Sequence, residues 1–125
     1  RLSLYKRLAG SETLDELRTL QEEMIDRFGK LPDQAQALME THRLRIVAKA
    51  AGIIKIDAHT EALSLQFIPN PPIDAAHVIE LLQKNRNFRL TGPEKLRVTA
   101  KMPDIHSRAT QIRATIHLLT KGQPS

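Results

Sequence analysis

The first third of the chain has apolar residues that recur every three or four positions, the period of one face of an α-helix. Thr13 and Glu16 fit a capping box at the start of such a helix. Gly29 fits its end, and Pro32 fits the first turn of the helix that follows. The pattern therefore predicts an αα-hairpin, preceded by a short helix over residues 2–8. The expected buried stripe of the first hairpin helix contains Leu14, Leu17, Leu20, Met24, Ile25 and Phe28.

After Gly52 the apolar period changes to the alternation that is typical of β-strands. The expected strands, which form two hairpins, are residues 53–57, 62–68, 88–90 and 95–99. A helix that starts near Asp74 separates the two hairpins, and a last helix opens at Pro103 and Asp104. The inward side of that last helix is expected to contain Ile105, Ala109, Ile112, Ile116 and Leu119.

This order of elements predicts an α+β fold. The N-terminal αα-hairpin is followed by a small, mainly antiparallel sheet with covering helices and a C-terminal helix. A length of 125 residues fits a single domain with a frayed tail at residues 122–125. Because the chain starts with Arg1 and not Met, we expect a piece of a longer polypeptide. It has no cysteine and no apolar run near the roughly 20 residues that span a bilayer, which fits a cytoplasmic protein without membrane contact.

Acidic residues are concentrated in the first hairpin helix. The chain has a formal net charge of +5, yet residues 12–27 hold six acids and two bases. At about 100° per residue, four of these acids fall on the side of the helix opposite its apolar stripe. They are Asp15, Glu22, Glu23 and Asp26. This side is either a solvated face or a contact surface for a cationic partner, and charge alone leaves both interpretations open.

The sequence contains no recognisable catalytic arrangement. No two of the five histidines stand at the spacing of a helical metal pair, and the five glycines form no phosphate-binding loop. No serine has the context of a nucleophile elbow. We therefore expect a domain that acts by contact, is not an enzyme by itself, and carries no metal or cofactor.

The basic residues favour a second interpretation, a small nucleic-acid-binding module. One tyrosine, three phenylalanines and no tryptophan leave little for stacking on bases. Scattered basic residues also serve simply to keep a protein surface soluble. The candidate contacts for this alternative are Arg43, Arg45, Lys49, Arg86, Arg89 and Arg97.

Two stretches near the start resemble a known family. Residues 1–9 read RLSLYKRLA and residues 23–32 read EMIDRFGKLP. They resemble the R-L-x-x-Y-K-R-[IL]-A and E-L-I-D-R-F-G-x-L-P stretches in the C-terminal domain of bacterial transcription-repair coupling factors (Mfd). Met24 replaces the usual leucine, a change that a packed helix tolerates. The stretches LLQK at residues 81–84 and LTGP at residues 90–93 are also similar to that family.

The resemblance implies a non-catalytic regulatory domain of an ATP-driven DNA translocase that acts in nucleotide excision repair. In that family the domain packs on the N-terminal UvrA-binding module and masks it until stalled RNA polymerase is engaged. ATP and Mg²⁺ are then expected in the upstream motor, and RNA polymerase, UvrA and double-stranded DNA are partners of the full-length protein. Glu23 and Asp26 occupy matched positions of the motif, so the resemblance makes them the first candidate contacts. Glu22, and then Asp15, add supporting charge.

Overall fold

The structure is a computed structural model that describes residues 2–121, with side chains from residue 4 onward. The tail expected at residues 122–125 lies outside the described residues. Within the described range the elements are α1 (Leu2–Gly10), α2 (Leu14–Phe28), α3 (Asp33–Ala50), β1 (Ile53–Ala58), β2 (Ala62–Phe67), α4 (Ala75–Lys84), β3 (Phe88–Gly92), β4 (Lys95–Thr99) and α5 (Ile105–Thr120).

The chain divides into two compact units. The helical unit comprises residues 1–47, and the sheet unit comprises residues 48–125. Each unit has its own set of buried side chains and is described by itself below. The expectation of a single domain over residues 1–125 stays a prediction.

Leucine side chains hold the helical unit together. Leu17 is completely buried on α2, and Leu20 is 2% exposed. Each such side chain contributes about 1.5–3 kcal/mol when it leaves water, so these contacts fix which side of α2 faces inward. The buried cluster of this unit contains Leu4, Leu8, Leu17, Leu20, Leu31, Met39 and Ile46.

Local hydrogen bonds set the ends of α2. The Thr13 side chain accepts from the backbone N–H of Glu16 at 3.1 Å. The Glu16 carboxylate in turn accepts from the backbone N–H of Glu12 at 3.2 Å, one residue earlier than in a standard capping box. At the other end, Gly29 has a φ of 77° and donates its N–H to the Ile25 carbonyl at 2.7 Å. The expected cap and stop signals are therefore confirmed.

The expected buried stripe of α2 is wrong for three of its six members. Leu14 is 42% exposed, Ile25 is 43% exposed and Phe28 is 58% exposed. At about 100° per residue, Leu14 lies roughly 60° and Ile25 roughly 80° around the helix axis from the inward-facing Leu17. Phe28 lies within roughly 20° of Leu17 but is the last residue of α2. The described neighbours of α2 cover neither the sector of Leu14 and Ile25 nor the last turn at Phe28, so the three side chains remain in contact with solvent.

An ion pair joins α1 to α2. The Arg7 guanidinium donates to the Glu23 carboxylate, and both side chains are partly exposed. The hydrogen bond from Arg7 lowers the pKa of the Glu23 carboxyl, and the charges of Arg7 and Arg27 act in the same direction. Glu23 is thus part of the contact between two helices of the helical unit.

The sheet unit contains a four-stranded antiparallel sheet in the order β1-β2-β4-β3. Alternate residues of the central strand β2 are removed from water, with Leu63 and Leu65 completely buried. Leu96 and Val98 of β4 lie opposite them in register and share that face. Helix α5 packs on β2, and α4 packs on β3 and on α5. The α+β class, with covering helices on one face of an antiparallel sheet, is confirmed.

Ile105 was expected to face inward on α5, and that expectation is wrong. Its side chain is 81% exposed, whereas Ile116 and Leu119 on the same side of the helix are buried. The cap at Asp104 explains the start of the helix, because the Asp104 carboxylate accepts from the Ser107 backbone N–H at 2.7 Å. Helical periodicity predicts which side of a helix faces inward, but not how much of its length is covered by neighbouring elements. The first turn of α5 extends beyond that cover, so Ile105 stays exposed.

Gly52 is the position in the sheet unit where a side chain is excluded most clearly. Its φ is 83°, and an added Cβ would lie 3.0 Å from side-chain atoms of Pro71 and Pro72 and 3.1 Å from Ile68. We expect Gly52→Ala to lower the free energy of unfolding by about 2–4 kcal/mol, from backbone strain plus crowding. Urea unfolding followed by circular dichroism measures the change.

Gly10→Ala is the matched control for this substitution. Gly10 is helical, and a Cβ there meets nothing within 4 Å. That variant should be neutral or stabilised by up to about 1 kcal/mol. Equal stability of Gly52→Ala and the parent chain would contradict the prediction.

The Arg7–Glu23 pair predicts a pH-dependent contribution to stability. A carboxyl whose pKa is lowered on folding stabilises the protein above its unfolded pKa, and this stabilisation is lost as the pH falls through the folded pKa. We expect Glu23→Gln to lower the melting temperature at pH 7, and this effect should shrink as the pH falls through the lowered pKa of Glu23. Glu22→Gln is the control, because Glu22 is exposed on the same helix and has no ion pair with the described residues. A Glu23→Gln effect that persists unchanged at low pH would argue against this origin.

Candidate partner-binding surface

The predicted acidic side of α2 faces solvent. Asp15, Glu22 and Asp26 are exposed and fall within roughly 40° of one another around the helix axis. They lie opposite the buried Leu17, because the inward leucines fix the rotation of the helix. Glu23 lies about 60° further round and is half-buried. The helix therefore presents a narrow acidic strip, made of Asp15, Glu22 and Asp26.

The four predicted contact residues differ in whether their carboxylates already have a partner in the described part of the chain. Glu23 is bound to Arg7, and Asp15 pairs with Arg18 on the same helix. Glu22 and Asp26 have no hydrogen bond or ion pair from their side chains to the described part of the chain. Glu22 and Asp26 are therefore the carboxylates that an incoming cation reaches without displacing an existing partner.

An apolar strip borders the acidic strip and was missed at the sequence level. It consists of Leu14 and Ile25, which lie roughly 60–80° from Glu22 around the helix axis, and it continues to Phe28 at the C-terminal end of α2. All three are exposed although the periodicity predicts them in the buried stripe. The Arg27 guanidinium lies 5.6 Å from the centre of the Phe28 ring, a cation–π distance that leaves the ring accessible. One signal was available in the sequence: the six apolar positions span about 140°, wider than the roughly 100° stripe of a surface helix.

Together the two strips have the composition of a protein interface. Protein–protein contacts place apolar and aromatic side chains at the centre and charged side chains at the rim. Here two exposed aliphatic side chains lie beside carboxylates that have no partner among the described residues, and an exposed phenylalanine follows at the C-terminal end of the helix. We call these two strips, made of Leu14, Glu22, Ile25, Asp26 and Phe28 with Asp15 at one end, the α2 surface.

The basic residues predicted for nucleic acid do not form one group. In the helical unit, Arg43 pairs with Glu40 at 3.6 Å. Arg45 donates to the Ser11 carbonyl at 3.1 Å and approaches His42. Partial burial, with the charge of Arg45, lowers the pKa of His42. These two arginines take part in contacts within their own unit.

The remaining predicted cations lie in the sheet unit. Lys49 is exposed on α3, and Arg86 is exposed between α4 and β3. Arg89 and Arg97 stand directly opposite each other on β3 and β4. The fold therefore brings two of the six predicted cations side by side, through the register of the β3–β4 pairing.

The sheet unit also contains an apolar groove of about 400 Å³ on its helix-covered side. Ile79, Leu82 and Leu90 contribute to its wall, and Glu94 is the carboxylate among its lining residues. Across the described residues, no cluster of three or more histidine, aspartate or glutamate side chains is arranged to hold a metal ion. None of the described helices has the length and apolar character needed to cross a bilayer.

Comparison with known proteins identifies the family. The model of the TRCF domain family matches residues 1–78. The transcription-repair-coupling factor of Escherichia coli K12 is 39% identical over 113 residues, which is 90% of this chain and 10% of that protein. The transcription-repair-coupling factor of Haemophilus influenzae is 33% identical over 120 residues, again 10% of that protein. The chain thus spans about a tenth of the length of these relatives.

A solved structure shares the fold. The crystal structure of the C-terminal domain of a transcription-repair coupling factor superposes with a TM-score of 0.64 at 18% identity. The superposition covers 98% of this chain and 82% of the other. The resemblance drawn from the RLSLYKRLA and EMIDRFGKLP stretches is confirmed, and since the family model covers more than half of the chain, this chain belongs to the TRCF domain family of transcription-repair coupling factors.

Proposed function

We propose that this chain is a regulatory docking domain that packs on the N-terminal UvrA-binding module of the same polypeptide. In this role it masks the module until stalled RNA polymerase is engaged. The supporting observation is the α2 surface, where Glu22 and Asp26 are exposed and have no ion pair with the described residues, and where the exposed Ile25 lies roughly 60° from Glu22 around the helix axis. A cationic partner surface that offers arginine side chains is its natural complement, because arginine binds carboxylates with two parallel hydrogen bonds.

The α2 surface has the strength that a releasable contact needs. Burying the remaining exposed area of Leu14, Ile25 and Phe28 contributes about 1 kcal/mol each, from the roughly 1.5–3 kcal/mol of complete burial. A rim ion pair adds about 0–1 kcal/mol. Moving a two-state equilibrium from 1:99 to 99:1 takes about 5.5 kcal/mol. With rim ion pairs at Glu22 and Asp26 the total is about 3–5 kcal/mol, which lies below the value for a complete shift. Binding of another partner of similar strength therefore suffices to open the contact.

The ion pair between Arg7 and Glu23 changes the role that we propose for Glu23. Because Arg7 already occupies this carboxylate, a cationic partner reaches it only by competing with α1. We infer that Glu23 positions α2 on α1 and shares its charge with the partner, while Asp26 and Glu22 make the direct contacts. Asp15, which pairs with Arg18, extends the negative potential at the other end of the strip.

Catalysis belongs to the rest of the polypeptide in this proposal. The relatives named as transcription-repair-coupling factors are about ten times longer than the matched region. We propose that ATP, Mg²⁺ and the translocating grip on double-stranded DNA lie in those other regions, in the cytoplasm. The chain described here then contributes the control of access to UvrA.

Charge reversal at Asp26 tests the proposal in the full-length protein. We expect Asp26→Arg to weaken the intramolecular contact and raise the affinity for UvrA severalfold, because a repulsive charge replaces an attractive one at the partner surface. Glu22→Arg should act in the same direction. The measurement is UvrA binding by biolayer interferometry with immobilised full-length protein.

Glu61→Arg is the matched control for these variants. Glu61 is exposed in the turn between β1 and β2, outside the α2 surface, and its reversal changes the net charge by the same amount. It should leave UvrA affinity unchanged. If Asp26→Arg and Glu22→Arg fold normally and bind UvrA like the parent protein, the masking role is wrong.

The apolar strip has a separate test that does not depend on UvrA. We expect Phe28→Ser to weaken binding of this chain to the separately produced N-terminal module by about tenfold, the equivalent of roughly 1.4 kcal/mol of lost apolar contact. Isothermal titration calorimetry measures the affinity. Ile105→Ser is the control, since Ile105 is an 81% exposed apolar residue outside the α2 surface. Equal affinities for both variants would exclude the apolar strip from the contact.

A further inference from the structure

The sheet unit has a face that its helices do not cover. Along β2, the buried Leu63 and Leu65 alternate with Ser64 and Gln66, which are half-buried and point to the opposite side. On β4, Lys95, Arg97 and Thr99 alternate in the same way and are exposed. We call this opposite side of the sheet the outer face.

Two arginines meet on the outer face. Arg89 of β3 is the register partner of Arg97 of β4, so their Cβ atoms are about 5 Å apart. Lys95 lies two residues from Arg97 along β4, which is about 7 Å at the rise of a strand. All three side chains are exposed, and none forms a hydrogen bond or ion pair with another described residue. The outer face therefore holds three cations without a counter-charge.

The neighbouring sequence does not supply the missing counter-charge. Between positions 86 and 101 there are five basic residues and a single acid, Glu94. Glu94 contributes to the wall of the apolar groove, as does the neighbouring Lys95, and forms no ion pair with a described residue. On the strands of the outer face the carboxylate is Asp57 of β1, which pairs with Lys55 at 3.8 Å and is separated from Arg97 by the whole of strand β2.

Like charges directly opposite each other destabilise an antiparallel pair. The pairing of Arg89 with Arg97 is therefore unfavourable for the isolated sheet. A bound polyanion removes that repulsion and gives each cation a partner. Ser64, Gln66 and Thr99 stand beside the cations and supply hydroxyl and amide donors for phosphate oxygens.

We propose that the outer face of β3 and β4 binds the phosphate backbone of double-stranded nucleic acid, through Arg89, Lys95 and Arg97. The distance of about 7 Å from Lys95 to Arg97 is comparable to the separation of neighbouring phosphates along one strand of a duplex. The described strands carry no aromatic side chain on this face to serve as a platform for unstacked bases, so the phosphates are the groups that the cations meet first. Binding is thus independent of sequence and favours a duplex, with its higher charge density, over a single strand.

This site differs from the α2 surface in place and in charge. It also differs from a contact spread over all the basic residues, because Arg43 and Arg45 are held within the helical unit. The masking role and the duplex contact therefore stand or fall separately.

The test is a salt titration of duplex binding by the whole 125-residue chain, followed by fluorescence anisotropy of a labelled duplex of about 20 base pairs. Three phosphate contacts predict a slope of about −2.7 for log K against log salt, or roughly 40-fold weaker binding at 200 mM than at 50 mM. In Arg89→Gln/Arg97→Gln the slope should fall in magnitude to about −0.9. Binding of that variant should then be only about three- to fourfold weaker at 200 mM salt than at 50 mM. Arg89→Lys/Arg97→Lys should keep the slope of the parent chain.

Lys6→Gln/Lys30→Gln is the matched control, because both lysines are exposed in the helical unit and the net charge changes equally. It should leave the slope near that of the parent. Melting curves by circular dichroism should show that the glutamine variant at Arg89 and Arg97 is at least as stable as the parent, since a like-charge pair is removed.

Four results would overturn the proposal. One is a duplex affinity with no salt dependence, and a second is a slope in Arg89→Gln/Arg97→Gln equal to that of the parent. A third is an equal loss of slope in Lys6→Gln/Lys30→Gln, which would assign the binding to net charge. The fourth is tighter binding of a single strand, or of a polyglutamate of equal charge, than of the duplex.

Discussion

Leu17, Leu20 and Met24 fix the rotation of α2 about its own axis, and the surface proposed for docking follows from that constraint. Leu17 and Leu20 are removed from water, and Met24 packs against the same cluster. Any rotation of α2 would expose them, at a cost of about 1.5–3 kcal/mol for each side chain. The opposite side, with Glu22 and Asp26, is therefore held toward solvent by the core and not by any contact of its own.

The ion pair between Arg7 and Glu23 divides the acids of α2 into two kinds. Glu23 binds within the helical unit, whereas Glu22 and Asp26 have no such partner among the described residues. One helix thus holds a carboxylate that stabilises the packing and carboxylates that are available to another surface. The net charge of +5 conceals this arrangement, because an acidic helix and a basic β-hairpin belong to different units of the chain.

Local signals in the sequence predicted the elements well. Helix caps and ends depend on hydrogen bonds or backbone angles within a few residues, so the local sequence predicts them. Examples are the cap at Thr13, the end of α2 at Gly29 and the start of α5 at Asp104. The alternation of Leu63, Leu65 and Phe67 predicted the buried face of β2, because side chains of a strand point to opposite faces in turn. The family motif was likewise legible, since it lies in two short stretches of contiguous sequence.

The sequence by itself determined which segments are helices and strands, which side of α2 is acidic, and the family to which the chain belongs. Only the tertiary structure decided that Phe28 and Ile105 remain exposed, that Glu23 is bound by Arg7, and that Arg89 stands opposite Arg97. The first group depends on interactions between residues a few positions apart. The second depends on which surfaces of distant segments meet, and periodicity along a single chain does not contain that information.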